Sequence, residues 1–451
     1  MKTRSVTIKD IIYASRFDGK YHNAEVNVYD SLIREHLDCS LGDCCSEIFT
    51  ASRGKRVYTD KAHGVPYFSN SDMIASDPYT SCNYISRRYG FEERAVLKEN
   101  MILTGRVGAI GQIAFVPKYW EQFASMGSDN IYRICIKQGY YPGFLYSYLA
   151  SKVGNLSFWK LATGGVQPYV TDSMIKTIPI PVFSDEVKKK TDSLIKESAA
   201  LRESAYNVVH KAIDYFTEKY PVSKTTQKFF AKSLDELGFS WASYNNNLEV
   251  ENASKAFASR SLQIKDLTDK VFAPPLFKHI YLKSDNGYPF MTGSELTQHN
   301  LRYYRWLSPR GVKDINDYVV RKGTLLLYKS GTTDGGILGN VFIADDILDG
   351  CCLSDHVIRL HFNDIKMAYW AYAFLRSELG VKALQRLATG TMIPFITPER
   401  VQKLSIPAPD ENFEMVVSAV EEFISIDSQS KRLENQAIDM IEEEIASWSS
   451  K

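Results

Sequence analysis

Two kinds of apolar spacing alternate along this chain. From Val187 the apolar residues Leu194, Leu201, Val208 and Tyr215 return every seven positions, with the small residues Thr191, Ser198, Ala205 and Ala212 between them. That is the seam of a helix built to lie close against another helix. Near the C-terminus, Val417, Val420, Ile424, Asp427, Lys431, Glu434, Ile438, Ile441, Ile445 and Trp448 step by three and four. They predict a second long helix, with Phe423, Ile426, Leu433, Ala437 and Met440 as a neighbouring stripe. Ahead of each helix the spacing shortens. Val65 to Met73 reads as a strand ending in a polar cap. Asn100–Gly108 and Gly111–Val116 read as a hairpin, Ile131–Ile136 as a strand and Pro142–Lys160 as one amphipathic helix.

The same series occurs twice. Leu161-Ala162-Thr163-Gly164 returns as Leu387-Ala388-Thr389-Gly390, and Ile178-Pro179-Ile180-Pro181 as Ile406-Pro407-Ala408-Pro409, offsets of 226 and 228. The turn Leu41-Gly42-Asp43-Cys44 has its counterpart in Ile264-Lys265-Asp266-Leu267, and Ser128–Ile134 in Ser354–Leu360. The hairpin recurs over Gly323–Gly331 and Gly339–Ile343, and the helix over Ala368–Leu387. A period this long means a duplicated domain and excludes a solenoid unit. Two like modules, each tied to a like helix, predict a pseudo-twofold molecule, and duplex DNA is the commonest ligand of that symmetry.

Composition changes this picture little. With 54 Lys and Arg against 53 Asp and Glu, the net charge is +1, short of the basic bias of many nucleic-acid binders. The charge is segregated, however. Arg53-Gly54-Lys55-Arg56, Arg87-Arg88 and Arg302 to Lys313 are basic, while Glu421-Glu422 and Glu442 to Glu444 make the last helix acidic. Seven cysteines without a C-x-x-C pair predict reduced thiols and no structural zinc. No stretch of 18 apolar residues occurs, which predicts a cytoplasmic protein with no membrane partner.

Catalytic patterns are missing. Asp77-Pro78-Tyr79 lacks the second proline of a methyltransferase motif, and Gly105 to Gly111 is not a dinucleotide-binding loop. Asp355-His356 invites a general-base reading, but its counterpart is Asp129-Asn130, so a polar strand entry is the better one. The expectation is a chain without catalytic residues or metal site. What remains is recognition chemistry on glycine-rich tips. In the first module the candidates are Arg53, Lys55, Arg56, the capping Asn70, Arg106 on the hairpin, and Gln167 and Tyr169 in the loop after Gly164. In the second they are Thr292, Ser294, Lys329, Ser330, Thr332 and Thr391. Arginine reads guanine, amides read adenine, and lysine or hydroxyls reach phosphates. The tips differ between copies: Thr104-Gly105-Arg106 stands against Lys329-Ser330-Gly331, and Gly165-Val166-Gln167 against Thr391-Met392-Ile393.

Two modules that close on Thr-Gly-x-x-x-Pro-x-[VI]-Thr, then I-P-x-P and a long helix, resemble the specificity (S) subunits of type I restriction–modification enzymes. The resemblance runs from about Leu41 to the C-terminus. It implies an α+β chain of two target recognition domains, 1–182 and 221–409, each mixed α/β with a twisted sheet. Two antiparallel coiled-coil spacer helices, 183–220 and 410–451, would join them. The seam residues would be Val187, Leu194, Leu201, Val208, Val420, Ile424, Ile438, Ile441 and Ile445. It further implies a non-catalytic subunit that reads a bipartite duplex and docks two methyltransferase (M) subunits, with restriction (R) subunits as further partners. S-adenosylmethionine would then sit on the M subunits, none on this chain. Some forty residues precede Leu41, and Arg16–Ile33 looks more like the recognition parts of type IIB relatives. A split type IIB/IIG methyltransferase-nuclease, or a protein–protein scaffold, is the alternative reading.

Overall fold

The computed structural model describes the chain except residues 1–4, 15, 23, 228, 235–236, 238–239, 284–285, 303–304, 332–336, 391 and 449–451. It divides into two compact units, one taking 1–203 with 429–451 and the other 204–428. Among the described residues no helix is long and apolar enough to cross a membrane.

The strands of the first unit are β1 (Leu37–Ser40), β2 (Cys45–Phe49), β3 (Tyr58–Thr59), β4 (Gly64–Phe68), β5 (Asn83–Ser86), β6 (Ile102–Gly105), β7 (Ile113–Phe115), β8 (Met126–Gly127), β9 (Ile131–Ile136) and β10 (Pro179–Pro181). β1 pairs with β10, and the others form two four-stranded sheets ordered β2-β9-β6-β7 and β3-β5-β4-β8. The first of these is antiparallel throughout; the second ends in a parallel β4–β8 pair.

The second unit repeats this plan. Its strands are β11 (Ser261–Gln263), β12 (Thr268–Phe272), β13 (Tyr281–Leu282), β14 (Tyr288–Met291), β15 (Trp306–Leu307), β16 (Leu325–Tyr328), β17 (Val341–Ile343), β18 (Cys352–Leu353), β19 (Val357–Phe362) and β20 (Ser405–Pro407). The orders are β11-β20, β12-β19-β16-β17 and β13-β15-β14-β18. Even the irregularity at the start of the edge strand recurs, between Cys45 and Glu47 and between Thr268 and Lys270. The duplication extends from sequence to ladder.

A buried arginine sits at the centre of each copy. Arg133 on β9 and Arg359 on β19 are 0% and 1% exposed. Arg133 donates to the carbonyls of Ile131 (2.9 Å), Ala95 (2.8 Å), Gly127 (2.5 Å) and Ser128 (3.3 Å). Arg359 donates to Leu353 (2.8 Å), Ser354 (3.1 Å), Tyr318 (3.5 Å) and Val357. Burial pulls both guanidinium pKa values down, to about 10. The two terminal nitrogens of the planar fork hold all of these carbonyls, which is how one side chain joins strands of two sheets and the loops between them.

The single helices expected over Pro142–Lys160 and Ala368–Leu387 are each broken in two. Pro142–Ala150 is followed by Lys152–Leu161, and Ile365–Arg376 by Glu378–Gln385. The serine between them caps the second helix: Ser151 Oγ accepts from Gly154 N (3.3 Å) and Ser377 Oγ from Gly380 N (3.2 Å). The apolar period passes through the break, which is why the pattern concealed it. Leu41–Cys44, expected as a turn, is one helical turn closed by a Ser40–Asp43 capping box.

The residues before Leu41 belong to the module. Short helical pieces from Gly19 to Glu35 bury Val26 and Ile33 in the first core. The pieces Leu248–Ser254 and Lys255–Arg260 bury Val250 and Phe257 in the second.

The long helices are Asp185–Lys219 and Phe413–Trp448, and each contributes to both units. In the first helix the buried line runs Thr191, Ile195, Ser198, Arg202, Ala205, Val209, Ala212, Phe216. The heptad therefore holds, centred on the small residues. Leu194 is buried beside it, while Val187, Leu201 and Val208 are half-buried on its flank. In the second helix all ten positions picked out by spacing, Val417 to Trp448, are buried. Within the first unit the helices run antiparallel. Phe183, just ahead of the first helix, meets Trp448 with ring centroids 5.3 Å apart. Ser198 and Ser430 exchange hydroxyl-to-carbonyl bonds, each 2.8 Å. Within the second unit Val209–Phe216 shares a core with Val416–Ile424.

Candidate nucleic-acid interface

Each module carries a tip made of two segments, the end of the central hairpin and the loop that closes the domain. In the first, Thr163 and Tyr169 exchange backbone hydrogen bonds of 2.9 and 2.8 Å, pinching residues 164–168 into a loop. This loop is sewn to the hairpin by Val170 N to Arg106 O (3.1 Å) and Gly108 N to Pro168 O (3.1 Å). Arg106 N in turn donates to Asn130 O (2.8 Å).

The second module has the same stitches. Thr389 and Phe395 exchange bonds of 2.9 and 2.8 Å, Ile396 N donates to Lys329 O (2.7 Å), and Gly331 N to Pro394 O (3.1 Å). Lys329 N donates to His356 O (2.8 Å). Arg106 thus corresponds to Lys329, not to Gly331. The tip pairing offered from sequence was displaced by two residues, because the loops from Gly108 to Gly111 and from Gly331 to Gly339 differ in length.

The framework is main-chain, so the side chains on it differ freely: Arg106 against Lys329, Val107 against Ser330, Asn130 against His356, Gln167 against Ile393, Tyr169 against Phe395. Gly164 and Gly390 open the loops with φ of +91° and +102°. A Cβ there would also lie 2.8 Å from Gln167 O or 2.9 Å from Ile393 O, so glycine is required twice over.

The expected residues fall into three groups. Arg106, Gln167 and Tyr169 converge on the first tip, and Lys329 and Ser330 on the second. Asn70 joins the first tip by donating from Nδ2 to Val107 O (3.3 Å). Arg53 and Arg56 instead pair with buried Asp129, the residue before Asn130; the Arg53 contact is 3.3 Å. Lys55 is exposed on the same loop. Thr292 is engaged in a capping box with Glu295, beside exposed Ser294. That turn abuts the tip, because Tyr328 donates its hydroxyl proton to Gly293 O. Thr332 and Thr391 lie outside the described residues.

Sequence reasoning passed over His356 and Asn130. Ser330 Oγ lies 3.1 Å from His356 Nδ1, so this imidazole belongs to the tip. The signal was the shared Ser-Asp-x before β9 and β19, read as strand entry without asking what the third residue faces.

Among the described residues there is no cluster of three His, Cys, Asp or Glu arranged to hold a metal ion. Each tip presents donors, acceptors and apolar groups on a fixed backbone. The same backbone frame thus occurs twice along the chain, with different side chains on it. Residues 260–438 match the family model of the type I restriction modification DNA specificity domain. A specificity domain selects a DNA sequence and is not itself a catalyst.

No curated protein matches the chain. Among solved structures it is similar to the type I restriction–modification system S subunit from M. genitalium, at 12% identity and TM-score 0.31, covering 90% of this chain and 93% of that one. It is also similar to the HsdS subunit from Thermoanaerobacter tengcongensis, at 15% identity and TM-score 0.28, covering 89% and 94%. A third similar chain comes from a study of assembly and conformational transition of the type I R-M system, at 16% identity and TM-score 0.27, covering 91% and 95%.

Proposed function

We propose that the whole chain is the sequence-recognition subunit of a type I-like restriction–modification assembly. Each module, 1–182 and 221–409, reads one half of a bipartite duplex through its tip. Arg106, Gln167, Tyr169 and Asn70 face one half-site, and Lys329, Ser330, Thr332 and Thr391 the other. Arg53, Lys55, Arg56, Thr292 and Ser294 supply flanking contacts. The helices in 183–220 and 410–451 act as spacer and as docking surface for two M subunits, which carry S-adenosylmethionine and methylate adenine at N6. R subunits join in cells that restrict.

One observation carries this reading. Among the described residues the two copies share five main-chain bonds of the tip, yet Arg106, Val107, Asn130, Gln167 and Tyr169 stand against Lys329, Ser330, His356, Ile393 and Phe395, as expected of a common frame with separate specificities. Genome-wide methylation sequencing tests it, in a host carrying the chain with its neighbouring methyltransferase, with and without this chain. A bipartite methylated motif should appear only in its presence. Replacing 221–409 by another recognition domain should alter one half of that motif; a change in both halves would refute the assignment of one module to one half-site.

A further inference from the structure

The apices of the closing loops carry the wrong chemistry for solvent. Val166 is 98% exposed, Met392 91% and Ile393 69%. These loops cannot fold down to hide them. Each is pinned at its neck by a pair of backbone bonds and sewn along one side to the hairpin. Gly165, next to the first apex, has nothing within 4 Å of a would-be Cβ, so the loop stands clear of the module. The backbones of Arg106 and Lys329 are bonded to the necks, and the apolar residues lie farther along the loops in both copies.

A phosphate-binding point would reverse that order, with cations at the apex. In the major groove the one apolar group a base pair presents is the thymine C5-methyl. Resting on the recognition reading above, we propose that Val166 in the first module, and Met392 with Ile393 in the second, are apolar base-contacting residues that select thymine in their half-sites. Each pinned loop carries its apex past the neck cation to the floor of the groove. The apex contributes to specificity without adding a phosphate contact.

The test uses the full chain and a duplex selected by it from a randomised 40-base-pair pool. Affinity is measured across a salt series for wild type, Val166→Ser and Met392→Ser/Ile393→Ser. It is measured again with each thymine of the duplex replaced singly by uracil, which lacks only the methyl. Each variant should bind roughly 10- to 100-fold more weakly, the discrimination a base contact provides. The slope of log affinity against log salt should stay unchanged, since no phosphate contact is lost. At least one uracil substitution per half-site should weaken wild type and leave the matching variant indifferent. Wild-type affinity in both variants overturns the proposal. So does a salt slope shallower by about 0.9, the mark of one lost phosphate contact, or a variant that still responds to every uracil. Unfolding midpoints equal to wild type exclude misfolding, and Val166→Thr, which keeps the shape, repeats the test if Val166→Ser fails that control. A wild-type chain that selects no duplex and shows no salt-dependent binding would sink the recognition reading, and this proposal with it.

Discussion

Replacing Arg359 by methionine keeps a long apolar stem and removes the guanidinium. The carbonyls of Leu353 and Val357 would then lose the donor seated on them, while Ser354 O keeps a 3.4 Å bond from Val357 N and Tyr318 O a 3.0 Å bond from Leu353 N. An orphaned buried acceptor costs about 1–3 kcal/mol. Removing a buried charge recovers part of this by ending its desolvation, so the net loss should be about 2–4 kcal/mol. That is a large share of the 5–15 kcal/mol on which a domain of ordinary stability rests. Urea unfolding followed by hydrogen-exchange mass spectrometry reads the two units separately. Peptides from the second unit should lose protection at lower urea, while those around Arg133 stay put. Arg133→Met should give the converse. A loss below about 1 kcal/mol in Arg359→Met would mean that water or a shifted strand serves those carbonyls, and that the arginine does not organise the sheets.

Other consequences follow from single positions. In Gly154→Ala the new Cβ would meet Tyr148 O at 2.1 Å and Leu149 Cα at 2.6 Å, both backbone, so the variant should fold poorly. Gly165→Ala meets nothing and should match wild type in thermal midpoint; equal midpoints for both would refute the tight-corner account. Asp410 is held below the ordinary 3.8: burial raises its pKa, but hydrogen bonds from Lys219 and Tyr215 outweigh it. A lowered carboxylate stabilises the fold above its unfolded pKa and loses that contribution as pH falls through the folded one. Asp410→Asn should therefore flatten the acid limb of stability below pH about 3.8, as read by chemical denaturation, and an unaltered limb would place the acid sensitivity elsewhere. Arg106→Gln, if the guanidinium meets a phosphate, should reduce the salt slope of DNA binding by about 0.9; a full slope with a changed half-site would assign it to a base. Four residues inserted after Ser198, about 6 Å of helix, should widen the unread gap of the methylated motif, and an unchanged gap in an active variant would show that the helices do not set it.

The sequence displayed the repeat, the strands and the second long helix well, because these rest on local periodicity. The ten inward positions from Val417 to Trp448 follow from spacing alone, since one side of a long helix faces inward along its length. The seam of the first helix was harder to place. Large residues at Leu201 and Val208 draw the eye, yet the close approach of the partner helix selects Ser198, Ala205 and Ala212. Breaks at Ser151 and Ser377 were hidden because a capping serine looks like any polar residue within an amphipathic pattern. The tips were legible as glycine-rich places and illegible as pairings, because their register is set by hydrogen bonds between segments about 60 residues apart, Arg106 with Val170 and Lys329 with Ile396.

The stitching of the tips has a consequence for how such a chain can change. Among the described residues the closing loop is fixed to the hairpin by bonds between peptide groups, and a point mutation replaces a side chain while leaving its peptide in place. Exchanging Val166, Gln167 or Arg106 thus leaves the loop's position intact, whereas glycine at 164 or 390 admits no replacement. On the proposed reading, new specificities would be reachable one substitution at a time in one module, without passing through an unfolded intermediate form.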